Sequence, residues 1–284
     1  MKETKSAPPD GRGVFCYNSD VQMNGKIGIY DSGLGGLTVM RELACMLPDY
    51  DYVFFGDEKN LPFGSKEIDE LKSITEKALR YLFETKNCTL VVIACNTVSS
   101  TLFGYLHEWV KKTYPGRHLL GIVQATVDSL PQNDKYVILG TPRTIRSLVY
   151  PESIHARFTD AEISQIELPL LASYIEHGGE VDTYLDAMYQ AREKKIDGAT
   201  CVFACTHYGL VEETIKKVFD ECRDFVRQEL IIADYVKDYI AKNYLQDTFL
   251  QEGKMEITVS KANPIFNNFS KEWFPQVAVT LVEV

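Results

Sequence analysis

No C-x-x-C pair occurs in this sequence, and its 7 cysteines, at positions 16, 45, 88, 95, 201, 205 and 222, are odd in number and scattered. A disulfide framework is therefore not expected, and a reducing cytoplasm is the expected compartment. No apolar run reaches the ~18 residues that a membrane-spanning helix needs. Residues 1–25 lack the apolar core of a secretion signal. Lys and Arg do not cluster in a chain of net charge −10, so a grip on nucleic-acid phosphates is not expected. There is no Gly-Lys-Ser/Thr phosphate loop and no G-x-G-x-x-G fingerprint. What remains is an acidic globular chain of 284 residues, 45% of them hydrophobic. At ~100–200 residues per domain it is long enough for two domains, and for a core that needs no metal or disulfide. The expected partner is a small molecule, not a membrane or a nucleic acid.

Residues 1–25 are polar, carry Pro and Gly and show no periodicity; they read as a disordered or regulatory extension. From Lys26 onward, short apolar runs alternate with helical patterns. Ile27–Tyr30, Tyr52–Phe55, Leu90–Ala94 and Leu119–Val123 read as strands. Helices are expected over about 37–47, on the face Ile68, Leu71, Ile74, Ala78, Leu82, and on the face Leu102, Tyr105, Leu106, Trp109. A second round follows, with strands at Tyr136–Leu139 and Cys201–Ala204 and a helix after Gly209. The alternation predicts an α/β protein of two pseudo-symmetric domains, each a mostly parallel sheet flanked by helices, with the active site in the cleft between them. We expect a first domain from 26–120 plus 228–284 and a second from 121–227.

The two rounds echo each other. Val91-Val92-Ile93-Ala94-Cys95-Asn96-Thr97 resembles Cys201-Val202-Phe203-Ala204-Cys205-Thr206-His207. Each delivers Ala-Cys and two polar residues from a strand end to an expected helix start, where a thiol tends toward thiolate. Ligands of parallel sheets bind outside the carboxyl ends of strands, so two facing domains would bring these thiols to one cleft. A lone strand-end cysteine more often only fills space; here the arrangement occurs twice. Cys16, Cys45, Cys88, Cys201 and Cys222 lack the setting. Zinc on Cys201, Cys205 and His207 is disfavoured, because on a strand the two thiols lie ~13 Å apart at ~3.3 Å per residue. Asp31-Ser32-Gly33-Leu34-Gly35-Gly36 reads either as a structural turn or as a seat for an anion. Tyr150, His155 and Trp109 carry no motif.

Taken in order, Asp31-Ser32-Gly33-x-Gly35-Gly36-Leu37-Thr38-Val39, Gly56-Asp57, Pro62-Phe63-Gly64, Ala94-Cys95-Asn96-Thr97, Gly140-Thr141-Pro142-x-Thr144-Ile145 and Ala204-Cys205-Thr206-His207-Tyr208 resemble the motifs of bacterial glutamate racemases, in the aspartate/glutamate racemase superfamily. The resemblance spans about residues 26–284. It implies no pyridoxal phosphate, metal, nucleotide or other cofactor, and Cys95 and Cys205 as the acid/base pair. Asp31 would assist Cys95, and His207 would assist Cys205. Asp31, Ser32, Pro62, Phe63, Gly64, Asn96, Thr97, Thr141, Thr144, Thr206 and His207 would hold substrate. Glu176 aligns with an acidic residue near the second cysteine. A homodimer is the expected assembly. The chain departs from the family at Phe63 for Tyr, Gly209 for Pro, Gln124 for Glu, and Asp57-Glu58-Lys59-Asn60 for Asp-Thr-Ala-Arg.

Two thiols suit racemisation because one proton must leave one face of Cα while another arrives on the opposite face. By the resemblance, Cys95 would take the proton of the D-enantiomer and Cys205 that of the L-enantiomer. General acid/base help supplies ~10²–10⁴-fold; positioning and charge stabilisation at the α-carboxylate must add the rest. Backbone N–H groups near Ser32–Gly36, Asn96–Thr97 and Thr206–His207 are the expected donors. The expected function is conversion of L-glutamate to D-glutamate for peptidoglycan. The alternatives are a racemase for aspartate or another amino acid, and a non-enzymatic regulatory homologue. A Rossmann-type nucleotide protein fails for want of a fingerprint.

Overall fold

The computed structural model describes residues 24–180, 184–192 and 196–284. The expected N-terminal arm, with Cys16, lies outside the described residues as far as position 23. Its last residue, Gly25, was expected to be loose but is tied down. Its N–H donates to the Thr248 carbonyl at 3.0 Å, and its carbonyl accepts from the Leu250 N–H at 2.8 Å.

Ten strands run through the described residues: β1 (Lys26–Asp31), β2 (Tyr52–Gly56), β3 (Cys88–Ile93), β4 (His118–Gly121), β5 (Lys135–Gly140), β6 (Glu162–Glu167), β7 (Thr200–Ala204), β8 (Asp224–Val226), β9 (Met255–Val259) and β10 (Val279–Leu281). They form two sheets, ordered β10-β9-β2-β1-β3-β4 and β6-β5-β7-β8. Every pairing is parallel. Helices cover both faces, so the central strands are apolar along their whole length rather than alternating. All six residues of β3 and all five of β7 are buried.

The second sheet repeats the winding of the first: 6-5-7-8 has the same layout as 2-1-3-4. In each, the chain crosses to the other side between two adjacent strands, β1 and β3 or β5 and β7. Such a switch point opens a crevice at the strand carboxyl ends. Asp31 and Cys95 sit at one crevice, Thr141 and Cys205 at the other.

The helices are α1 (Gly36–Met46), α2 (Ile68–Arg80), α3 (Asn96–Thr113), α4 (Ile122–Ser129), α5 (Pro142–Arg146), α6 (Val149–Arg157), α7 (Leu171–Glu176), α8 (Leu185–Ala191), α9 (Glu212–Val218), α10 (Gln228–Lys242) and α11 (Pro264–Trp273). No described helix is long and apolar enough to cross a membrane. Three details differ from the sequence reading. The fourth strand stops at Gly121, and Ile122-Val123 instead opens α4. Ile68, the first residue of α2, and Tyr105 are exposed. Cys205 does not open an α-helix: a turn and one 3-10 turn (Tyr208–Val211) intervene before α9.

Candidate active site

Both cysteine sulfurs belong to one cavity of about 750 Å³ between the sheets. Cys95 is 5% exposed and Cys205 6% exposed. Ser32, Pro62, Phe63, Gly64, Asn96, Thr97, Thr141, Glu176, Thr206 and His207 line the same cavity. Leu61–Pro62 is cis, and the Phe63 ring packs against Tyr30 with centroids 6.4 Å apart.

Two expected site residues do not line the cavity. Asp31 is fully buried behind Ser32. Its Oδ1 accepts from the Gly33 N–H at 3.0 Å and the Ser32 hydroxyl at 3.3 Å, and its Oδ2 accepts from Thr206 Oγ1 at 3.2 Å. Asp31 therefore ties the first crevice to the second. Thr144 is likewise buried, 3.1 Å behind Thr141 Oγ1, which itself lies 3.1 Å from Thr97 Oγ1 across the cleft. The departure at Gln124 is remote: that side chain is exposed and donates to Asp128 at 2.8 Å.

The glycine-rich turn is not a seat for an outside anion. Its Leu34 N–H donates to Glu176 Oε1 at 3.0 Å, so a carboxylate of the protein occupies that place. A Cβ on Gly33 would stand 2.7 Å from Glu176 Oε1, and one on Gly35 would stand 2.4 Å from Thr206 Oγ1. The glycines let residues of the second crevice approach the backbone of the first. The Gly33 and Leu34 N–H groups, two of the expected donors at Ser32–Gly36, are thus taken by Asp31 and Glu176. Asn96 and Thr97 remain, because the first N–H groups of α3 have no intrahelical acceptor.

The surroundings of the two sulfurs differ. Cys95 is the N-cap residue of α3, and its thiol donates to Ser32 Oγ at 3.8 Å. The helix start was expected to favour thiolate. Burial, followed by the charge of Asp31, instead pushes the thiol up to about 12. Cys205 Sγ lies 3.7 Å from His207 Nδ1, and the other ring nitrogen donates to Glu176 Oε2. Burial alone would lower the His207 pKa. The Glu176 charge and the hydrogen bonds to Cys205 and Glu176 override it, leaving the ring well above its usual range and thus an imidazolium. Burial works to raise Glu176, but the charge and hydrogen bond of His207 bring it below the usual carboxylate value. Burial also lifts Asp31 to about 6, against the pull of the His207 charge.

Several polar residues escaped the sequence reading. Glu58 and Asn263 stand in the cavity wall. Behind Asn96 lies a closed network. Tyr150 Oη donates to Asn96 Oδ1 at 2.6 Å, and Gln228 Nε2 donates to Tyr150 Oη at 2.7 Å and Thr126 Oγ1 at 2.8 Å. The Asn96 amide donates back to Gln228 Oε1. Only Glu58 had a sequence signal, as a charge in an otherwise recognisable loop. Among the described residues no group of three His, Cys, Asp or Glu side chains is placed to hold a metal ion.

No protein-family model matches the chain. Among curated proteins it is 32% identical to the glutamate racemase of Clostridium novyi over 248 residues, 85% of this chain and 92% of that protein. It belongs to the glutamate racemase family. Solved structures agree on the fold. The glutamate racemase isoform of Bacillus anthracis superposes with a TM-score of 0.80 at 23% identity, covering 92% of this chain and 98% of that one. The glutamate racemase of Francisella tularensis, solved with D-glutamate, gives 0.79 at 24% identity and the same coverage. The racemase is thus an isomerase of two α/β domains.

Proposed function

We propose that this racemase interconverts L- and D-glutamate without a cofactor, using Cys95 and Cys205 as opposed acid and base, and that its D-glutamate supplies peptidoglycan. The reading rests on one observation: two buried sulfurs on the carboxyl ends of two pseudo-equivalent strands meet a single cavity. The domains divide at 26–120 with 228–284 and at 121–227, and the assembly is a homodimer.

Substrate lies with Cα between the sulfurs. Ser32, Asn96, Thr97, Thr141 and Thr206 hold its polar groups, and the Pro62-Phe63-Gly64 loop covers it. With L-glutamate, Cys205 removes the α-proton, and the His207 imidazolium offsets the negative charge on that sulfur as the reaction begins. Cys95, a neutral thiol, delivers its proton to the opposite face. The intervening carbanion spreads charge onto the α-carboxylate, where the opening N–H groups of α3 stabilise it. The reverse reaction exchanges the protonation states.

Exchange of the α-proton with D2O tests the assignment. Cys95→Ser should exchange L-glutamate but not D-glutamate, with retention, while Cys205→Ser should do the opposite. Both variants should racemise at least ~10²-fold more slowly than the parent. Loss of the same half-reaction in both would remove the two-base assignment. Racemisation of aspartate in preference to glutamate would remove the substrate.

A further inference from the structure

Glu58 is a carboxyl where a cavity for a dicarboxylate substrate of net negative charge should not want another negative charge. It lies in the 3-10 turn Glu58–Asn60 after β2, is 6% exposed, and belongs to the cavity wall. Its Oε2 accepts from Asn263 Nδ2 at 2.9 Å. The same amide nitrogen lies 3.4 Å from Glu176 Oε1. Asn263 is the N-cap residue of α11, where Oδ1 accepts from the Ile265 N–H at 2.9 Å, so its amide is turned toward both carboxyls. Oε1 of Glu58 is buried and finds no donor among the described residues. Glu58 and Glu176 thus face each other with one amide between them, and two buried carboxylates at that range cannot both be ionised.

We propose that Glu58 is a positioning residue for the Cys205 half of the reaction: it stays protonated and donates to Glu176, which keeps its charge for the His207 imidazolium. The proton satisfies the orphaned oxygen and leaves the pair with a single negative charge. A neutral Glu58 also spares an incoming dicarboxylate a repulsion. The groups facing Glu58 are Glu176 from α7, His207 from the turn after β7, and Asn263 from α11. Burial, then the hydrogen bond and charge of Glu176, lift Glu58 to about 9, consistent with a proton held at neutral pH. Among the described residues no paired carboxyls with an imidazolium stand behind Cys95, whose sulfur is met by Ser32, the Val98 N–H and the charge of Asp31. The chain Glu58–Glu176–His207–Cys205 therefore serves one face of the substrate.

The inference rests on the two-cysteine reading for its role in catalysis, but its electrostatic core can be read without turnover. The His207 ring is followed by NMR against pH in the full chain, in Glu58→Gln and in Glu58→Leu. Glu58→Gln retains a donor to Glu176 and should leave the His207 titration near the parent's. Glu58→Leu should move it up by about one pH unit, because Glu176, relieved of that donor, holds the imidazolium proton more strongly. In the Cys95→Ser background, Glu58→Leu should slow exchange of L-glutamate about tenfold at pH 7. Glu58→Gln should keep that rate and lack the alkaline decline centred near 9 that is expected of the parent as Glu58 ionises. Equal His207 titrations in all three chains overturn the proposal, as does a rate for Glu58→Gln as low as for Glu58→Leu. Failure of the two-cysteine reading appears elsewhere, as absent L-exchange in Cys95→Ser while the His207 titrations still separate.

Discussion

The cysteine at the end of β3 and the cysteine at the end of β7 share a sequence pattern and a topological position, yet sit in opposite electrical settings. Around Cys95 the protein supplies a hydroxyl and, behind it, a buried carboxylate; the thiol is held neutral. Around Cys205 it supplies an imidazolium backed by Glu176. Position on the fold brings a sulfur to the substrate; its neighbours decide which way the proton is disposed to move. One sulfur is poised to give a proton and the other has a cation ready for its charge.

That contrast can be broken at several points. The largest effect after the cysteines themselves is expected at His207. In the Cys95→Ser background, His207→Asn should lower exchange of L-glutamate by about a hundredfold. In the Cys205→Ser background the same change should leave exchange of D-glutamate within a few-fold, and a comparable fall on both sides would erase the distinction.

A smaller effect is expected at Asp31. Its negative charge raises the Cys95 thiol, so Asp31→Asn should bring that thiol down. At pH 8 the thiolate fraction then rises, and alkylation of Cys95 by iodoacetamide, followed by peptide mass analysis, should quicken several-fold. An unchanged rate would mean that Asp31 does not govern Cys95.

The remaining effect is on stability. Glu58 rises from 4.5 in an exposed chain to about 9 when folded. A carboxyl raised by folding favours the folded state while protonated in both states, and that advantage declines as pH climbs from the unfolded value to the folded one. Glu58→Gln cannot titrate. Its melting temperature should therefore gain on the parent's between about pH 5 and pH 9, then run parallel. A gap that narrows with pH would place the proton elsewhere.

Much of this arrangement was legible in the sequence. The buried strands announce themselves as apolar runs, and the Ala-Cys echo located both sulfurs because each strand end is set by the few residues before it. Polar partners were harder, since topology rather than local pattern chooses them. Asn263 reaches Glu58 from 205 residues away, and Gln228 reaches Asn96 from 132. The glycine turn shows the same limit. Its shape was readable, but a carboxylate from α7 fills the place an outside anion would take. The helix expected after Gly209 is present, but it starts only at Glu212, after a turn and one 3-10 turn, and not at the Cys205 strand end as the echo with Cys95 suggested.

The network behind Asn96 bears on how this molecule opens and shuts. Gln228, Tyr150, Thr126 and Asn96 come from four separate helices, α10, α6, α4 and α3, and together they satisfy one another while buried. Such a knot resists sliding, since a small displacement strands several polar atoms at once. Breathing of the cleft is then expected to pivot about this knot rather than shear through it. The loops at the cavity rim can move to admit and release ligand, while the floor carrying Cys95 keeps its place.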